Sequence, residues 1–326
     1  MASSDTSFTL GKALIRVLSP GGASGLSILI YHRVLPSRDP LFPAELDKDD
    51  FDLHLRLIKS MFHVIPLIDA VRHVKAGTLP PRAACITFDD GYADNAEVAL
   101  PILQRHGLNA TFFVATGFLN GGRMWNDTVI ELVRRAPDGA IDAGALGLGK
   151  HALTSVEERK RAITGLIGQL KYLPMGERLD QVNRLVDLVK VDLPDNLMMS
   201  TAQVRELHAA GMGIGGHTVN HPILAKIPAS LAKSEIAQGK ATLEDMIGGA
   251  VPLFAYPNGK PGADYQAEHV GIARELGFEG AVSTSWGASK RPDAYQLPRF
   301  SPWDRTHLRF AVRMAKNLRT EAQVAA

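Results

Sequence analysis

Two adjacent carboxylates, Asp89 and Asp90, end an apolar run at Gly91, and two histidines, His217 and His221, stand four residues apart behind a run of glycines. Ala83 to Asn95 reads as a buried strand through Ala84-Cys85-Ile86, then Thr87-Phe88, then the two acids. Neighbouring side chains on a strand point to opposite faces, but where the strand gives way to a glycine turn both can converge on one pocket. Side by side, the two acids suit divided labour, one holding a metal ion and the other moving a proton. An isolated Asp-Asp-Gly is as readily a turn that caps the next helix. The histidines shift that balance. Four residues is the usual spacing of two ligands on one helical face, yet Pro222 disfavours helix at His221, and Gly211 to Gly216 favours a loop after a short strand. A loop pair can still chelate, and one carboxylate with two imidazoles leaves open metal positions for water and substrate, as a catalytic site requires. Zinc is the default ion for such a set, and iron, nickel or cobalt accept the same donors.

Thr87-Phe88-Asp89-Asp90-Gly91 together with His217-Thr218-Val219-Asn220-His221 resembles the first two motifs of the polysaccharide deacetylases, carbohydrate esterase family 4. ILIYHRVLP at Ile28 to Pro36 and FAYPNG at Phe254 to Gly259 make the layout similar to the bacterial poly-N-acetylglucosamine deacetylase branch, over roughly Ile28 to Pro302. The resemblance implies that Asp89 is the general base and that Asp90, His217 and His221 hold one divalent metal. It implies a general-acid role for His32, at the end of the first strand, because a histidine can hold a proton near neutral pH and pass it to nitrogen. His307, in the last helix, competes, since other branches draw the acid from a late motif.

The family's third motif is an arginine-bearing turn whose backbone amide helps form an oxyanion hole. Here Tyr256-Pro257-Asn258 occupies its place, the amide falls to Asn258, and Ala255 replaces the arginine. In the family pattern that arginine pairs with the catalytic base, so Asp89 needs another cation. Arg299, in the expected late strand Gln296 to Phe300, is the candidate. Trp125 and Trp303 are candidate sugar-stacking platforms.

Strand and helix patterns alternate along the chain, with helices expected from about Lys48 to Met61, Ile68 to Lys75, Ala93 to Arg105, Ser230 to Ile247 and Tyr265 to Leu276. Between Asn120 and Ala210 the rhythm breaks into helical patterns joined by a glycine-rich linker at Asp138 to Gly149. The expected architecture is α/β, a distorted or incomplete (β/α) barrel of the deacetylase type over residues 27–318. A helical insertion at about 120–210 interrupts it, a 26-residue extension precedes it and residues 319–326 form a tail.

With 36 Lys plus Arg against 34 Asp plus Glu in 326 residues, and no basic block, the chain is not built to neutralise a row of phosphates, and nucleic acid is excluded as a partner class. The single cysteine, Cys85, has no partner for an intrachain disulfide and reads as a buried hydrophobe. The N-terminus lacks a charged start followed by an unbroken apolar core, so no signal peptide or membrane span is expected and a cytoplasmic location follows; periplasmic or membrane-associated placement is the alternative. Phe8, Leu10, Leu14, Val17 and Leu18, with Lys12 and Arg16 between them, suit a short amphipathic helix that packs on the barrel or touches a membrane surface.

The resemblance implies a metal-dependent hydrolase that removes N-acetyl groups from amino sugars of a glycan or a lipid-linked glycan precursor, with deformylation or another linear amide hydrolysis on a related sugar as a close variant. The rival from another class is a glycan-binding barrel without turnover. A binding module has no need of both a ligand set and a spare base.

Overall fold

Alternation with a period of two decides which strand residues face the barrel's inside, and it divides the main core in two. Ile28, Cys85, Phe113, Leu253, Ala255 and Val282 share one apolar cluster with Leu67, Ala70 and Val71 of a helix, while their strand neighbours Leu29, Ile86, Phe112, Phe254 and Ala281 share another with the surrounding helices. The computed structural model describes residues 25–288, 293–302 and 304–326. The amphipathic stretch expected at Phe8 to Leu18, and Trp303, lie outside these residues.

The strands that carry this alternation are β1 (Ser27–Tyr31), β2 (His63–Val64), β3 (Ala83–Phe88), β4 (Thr111–Val114), β7 (Gly213–Gly216), β8 (Leu253–Ala255), β9 (Gly280–Val282) and β10 (Arg299–Phe300). All are parallel in the order β10-β1-β3-β4-β7-β8-β9, with β2 added beside β3. A parallel bridge from Val282 to Leu297 carries β9 towards the segment that leads into β10, so the sheet is nearly closed into a barrel. Helices α1 (Lys48–Met61), α2 (Leu67–Ala76), α3 (Leu100–His106), α7 (Thr201–Ala209), α8 (Ala229–Ile247), α9 (Ala267–Glu275) and α10 (His307–Asn317) accompany these strands. No helix of the described residues is long and apolar enough to cross a membrane.

Three local expectations change. The helix expected from Ala93 opens as a π-helical turn, Asn95–Ala99, before α3, because Pro101 has no N–H for the regular ladder and the Leu100 N–H bonds back to Asn95. The late strand shortens to Arg299–Phe300, since Pro298 cannot donate to a neighbouring strand. The expected linker at Asp138 to Gly149 is an antiparallel hairpin, β5 (Ala140–Ala143) with β6 (Gly149–Ala152), whose Gly147 takes the left-handed turn at φ +74°.

That hairpin belongs to a second core. α4 (Trp125–Arg135), α5 (Val156–Leu170) and α6 (Met175–Val189) bury Val129, Leu132, Ile163, Leu166, Val182 and Leu185 against one another, with Leu41 from the loop after β1 added to them. The last helix of the expected insertion is different. α7 buries Val204 and Leu207 in the main barrel core, so the separately packed unit ends before it.

Candidate metal centre and active site

Every parallel strand of the barrel delivers its C-terminal end to one rim, and the chemistry-bearing residues lie there. His32 follows β1, Asp89 and Asp90 follow β3, His217 follows β7, Asn258 follows β8 and Thr284 follows β9. Strand parity puts Asp89 on the inside with Cys85 and Thr87. Asp90 would point away, but its φ of +76° and that of Gly91 at +92° turn the chain, and the Gly91 N–H bonds to the Asp89 carbonyl at 3.0 Å. Of seven non-glycine residues with positive φ among the described residues, Asp90, Thr218, His221 and Asn258 are four. Such conformations cost free energy and concentrate where geometry serves a site.

Asp90, His217 and His221 each offer one ligand atom, and these atoms lie within 4.8 Å of one another. Nε2 of His217 and of His221 are both 3.5 Å from Asp90 Oδ1. Donors bonded at about 2.0–2.2 Å to one tetrahedral ion stand roughly 3.3–3.6 Å apart, so the set fits a single divalent cation. His217 Nδ1 donates to the Ala255 carbonyl at 2.7 Å, which fixes the tautomer and leaves Nε2 for the ion. Burial, against the opposing pull of Asp90, pushes the His221 pKa down to about 4, which favours the neutral imidazole, the form that ligates.

Asp89 is the other carboxylate, and it is held differently. Arg299, 1% exposed, reaches across from β10 and forks both its oxygens, Nη1 to Oδ1 and Nη2 to Oδ2, each at 2.6 Å. The fork is itself aimed by Thr87 Oγ1 and the Ser283 carbonyl, both at 3.2 Å, and by the Phe113 ring. Gly215 makes room for that ring, since a Cβ there would fall 2.3 Å from it. Burial raises the Asp89 pKa, but the charge and hydrogen bonds of Arg299, together with the neighbouring His217, outweigh it and hold the carboxyl below the usual carboxylate range. Arg299→Met should therefore lose stability, because the Asp89 carboxylate is left buried and unpaired, yet at a temperature where it is folded it should keep metal and move the acidic limb of kcat/KM to higher pH. Without the guanidinium the Asp89 pKa rises, and the ionised, proton-accepting form is lost earlier on acidification. A limb that stays in place would take Arg299 out of the chemistry.

Asp89, Asp90, His217 and His221 line a cavity of about 300 Å³, which also receives Trp125, Lys171 and Arg178 from α4 to α6. Asn258 lines it too, and its N–H meets no acceptor among the described residues. Tyr256 and Pro257 depart from expectation. The Tyr256 ring is buried face to face on Tyr265 at 3.9 Å and its hydroxyl donates to the Tyr295 carbonyl, while Pro257 only shapes the turn, its carbonyl accepting the Gly259 N–H. Of that tripeptide, Asn258 alone lines the cavity. His307 is not among the lining residues, whereas His32 is. One face of Trp125 carries the Arg178 guanidinium at 4.9 Å, so a sugar cannot stack on that face.

The family model for polysaccharide deacetylases matches residues 76–163 and 174–281, more than half of the chain. The chain belongs to that family. It is a hydrolase of the amide bonds of N-acetylated sugars, in a family that depends on metal ions. It is 22% identical over 268 residues to YxkH of Bacillus subtilis, named as a polysaccharide deacetylase, covering 82% of this chain and 67% of that one. The fold is similar to that of the deacetylase PplD of Streptococcus pyogenes, solved in complex with acetate, with a TM-score of 0.56 at 19% identity over 86% of this chain and 92% of that one. It is similar also to IcaB of Ammonifex degensii, with a TM-score of 0.57 at 20% identity over 90% and 96%. His32 and Arg299 lie outside the matched residues, yet the deacetylase barrel brings both to the rim.

Sequence reasoning missed one support of the histidine loop. Glu235 of α8 accepts the Val219 and Asn220 N–H groups at 3.0 and 2.8 Å and the Asn220 side chain at 2.8 Å. Gly239, one turn on, lets the helix approach, since a Cβ there would fall 2.8 Å from the Thr218 carbonyl. Glu235→Gln in the deacetylase should weaken metal binding by about ten- to a hundredfold, the usual effect of losing a group that holds ligands in place. Chelator competition measures this, and an unchanged affinity would limit Glu235 to a packing role. Nothing in the local sequence pointed to Glu235, because a glutamate on an amphipathic helix reads as surface.

Proposed function

We propose that Asp90, His217 and His221 hold one zinc ion and that Asp89, Arg299, Asn258 and His32 carry out hydrolysis of an N-acetyl group on an amino-sugar glycan, free or lipid-linked. The observation that carries this reading is the separation of the two carboxylates: Asp90 sits with the imidazoles, while Asp89 is forked by Arg299 at 2.6 Å. A binding barrel has no use for a second, ionised and oriented carboxylate. Zinc suits two imidazoles and a carboxylate with positions left open. When bound, the ion supplies a Lewis acid that polarises the amide carbonyl and eases ionisation of a water.

The residues of the chain supply the rest. Asp89 takes a proton from the water whose oxygen bonds to the carbonyl carbon. The Asn258 N–H donates to the oxygen that gains charge as that carbon becomes tetrahedral. His32, on the cavity wall, gives its proton to the sugar nitrogen as the carbon–nitrogen bond breaks, which leaves acetate and a free amine. His32 is preferred to His307 as the acid because it lines the cavity with Asp89 and Asp90. Acetate release from N-acetylchitooligosaccharides and poly-N-acetylglucosamine, with zinc, cobalt, nickel or iron restored to the chelated protein, tests the proposal. No release with any metal would return the non-catalytic glycan-binding barrel.

A further inference from the structure

Arg178 of α6 is 9% exposed in the wall of the catalytic cavity, and no carboxylate pairs with it among the described residues. Its Nη1 donates to the Lys171 carbonyl at 3.2 Å, and its Nε is buried without an acceptor. The guanidinium lies 4.9 Å over the Trp125 ring. Burial pulls its pKa below the ordinary arginine value, with no acid acting against that pull. Other arginines around the cleft are matched: Arg33 to Asp94 at 2.8 Å, Arg134 to Asp39 at 2.5 Å and Arg299 to Asp89 at 2.6 Å. Lys171 lines the cavity beside Arg178, also with no carboxylate partner among the described residues, and an adjoining groove shares both cations and adds Lys226.

A buried guanidinium without a counter-ion is costly. The Trp125 face offsets part of the cost, and one carbonyl takes one of five N–H donors. What the remaining donors match best is a planar or tetrahedral oxyanion. Both cations come from the separately packed α4–α6 unit, so the barrel supplies the chemistry and this unit supplies a charge requirement. We propose that Arg178 and Lys171 bind an anionic group, phosphate or carboxylate, on the saccharide beside the N-acetyl sugar, which makes the substrate an acidic N-acetylated glycan. The inference rests on the deacetylase reading of the site and narrows its substrate class.

Two matched pairs of probes test it and separate the sources of the anion: methyl N-acetylglucosaminide against N-acetylglucosamine 1-phosphate, and N-acetylchitotetraose against a hyaluronan tetrasaccharide. In the metal-loaded protein, kcat/KM for acetate release should favour the acidic member of at least one pair by about ten- to a hundredfold, mainly through KM, the worth of hydrogen bonds to a charged partner. Preference in the first pair alone assigns phosphate, in the second alone carboxylate, and in both a general oxyanion site. Arg178→Met should abolish the preference and Arg178→Lys should keep part of it, with melting temperatures near that of the parent. If Arg178→Met does not fold, Lys171→Met, at a less buried position, should reduce the preference instead. Equal or better use of the neutral member in both pairs, or a preference that survives Arg178→Met, overturns the inference and leaves the deacetylase reading standing. If no probe is hydrolysed, calorimetric titration decides: Arg178-dependent binding of an acidic member supports the anion site while the deacetylase reading fails, and equal binding of acidic and neutral members overturns the site.

Discussion

Asp89→Asn should bind metal as the parent does and release acetate slower by about two to four powers of ten, the usual worth of a positioned general base. The amide keeps the shape of the carboxylate and one acceptor for the Arg299 fork, but it cannot take a proton. It also leaves a guanidinium that is 1% exposed facing a neutral group. Removing one partner of a buried pair costs roughly 3–5 kcal/mol, and the retained acceptor should hold the loss to the lower end. Rate, metal content and thermal unfolding must therefore be read together, at a temperature where the variant is folded. The double variant Asp89→Asn with Arg299→Met separates the two effects. It should recover stability, because no unpaired charge remains, and recover no turnover, because no base remains. Near-parental rates in Asp89→Asn would place the base elsewhere.

His221→Ala and His217→Ala should each lose most of their metal and, with it, nearly all activity, since two remaining donors hold a divalent ion far less tightly than three. The two variants should differ in stability. His221 sits on a loop with its side chain 21% exposed, so its removal empties little core. His217 is buried and donates Nδ1 to the Ala255 carbonyl at 2.7 Å, and without it that buried acceptor loses a partner at a cost of about 1–3 kcal/mol. Metal analysis after dialysis against a weak chelator, paired with thermal melts, reads both quantities. Full occupancy in His221→Ala would mean that the three donor atoms do not act as one set, whatever their separation.

What the sequence by itself determined lies within short windows. An apolar strand followed by Asp-Asp-Gly must put two carboxylates at a strand end, and glycines ahead of His217 with a proline after His221 must put that pair in a loop; both motifs are contiguous, so local backbone rules suffice. Arg299 could be named from a distance of 210 residues because the family pattern places an arginine where this chain has Ala255, which leaves Asp89 in need of another cation, and a late strand of the barrel has few places to end. Where spacing carried no such demand, only the tertiary structure decided. Tyr256 turned into the core because Tyr265 and the Tyr295 carbonyl were there to receive it. The glycines of residues 138–149 served a hairpin turn because Ile141 and Ala143 had a helical face to pack on. Glu235 came to hold the histidine loop, and Lys171 and Arg178 came to line the cavity, through packing between elements far apart in the chain. A side chain's neighbours across such distances depend on how whole helices seat on the barrel. That seating is a property of the assembled core, which no window of residues contains.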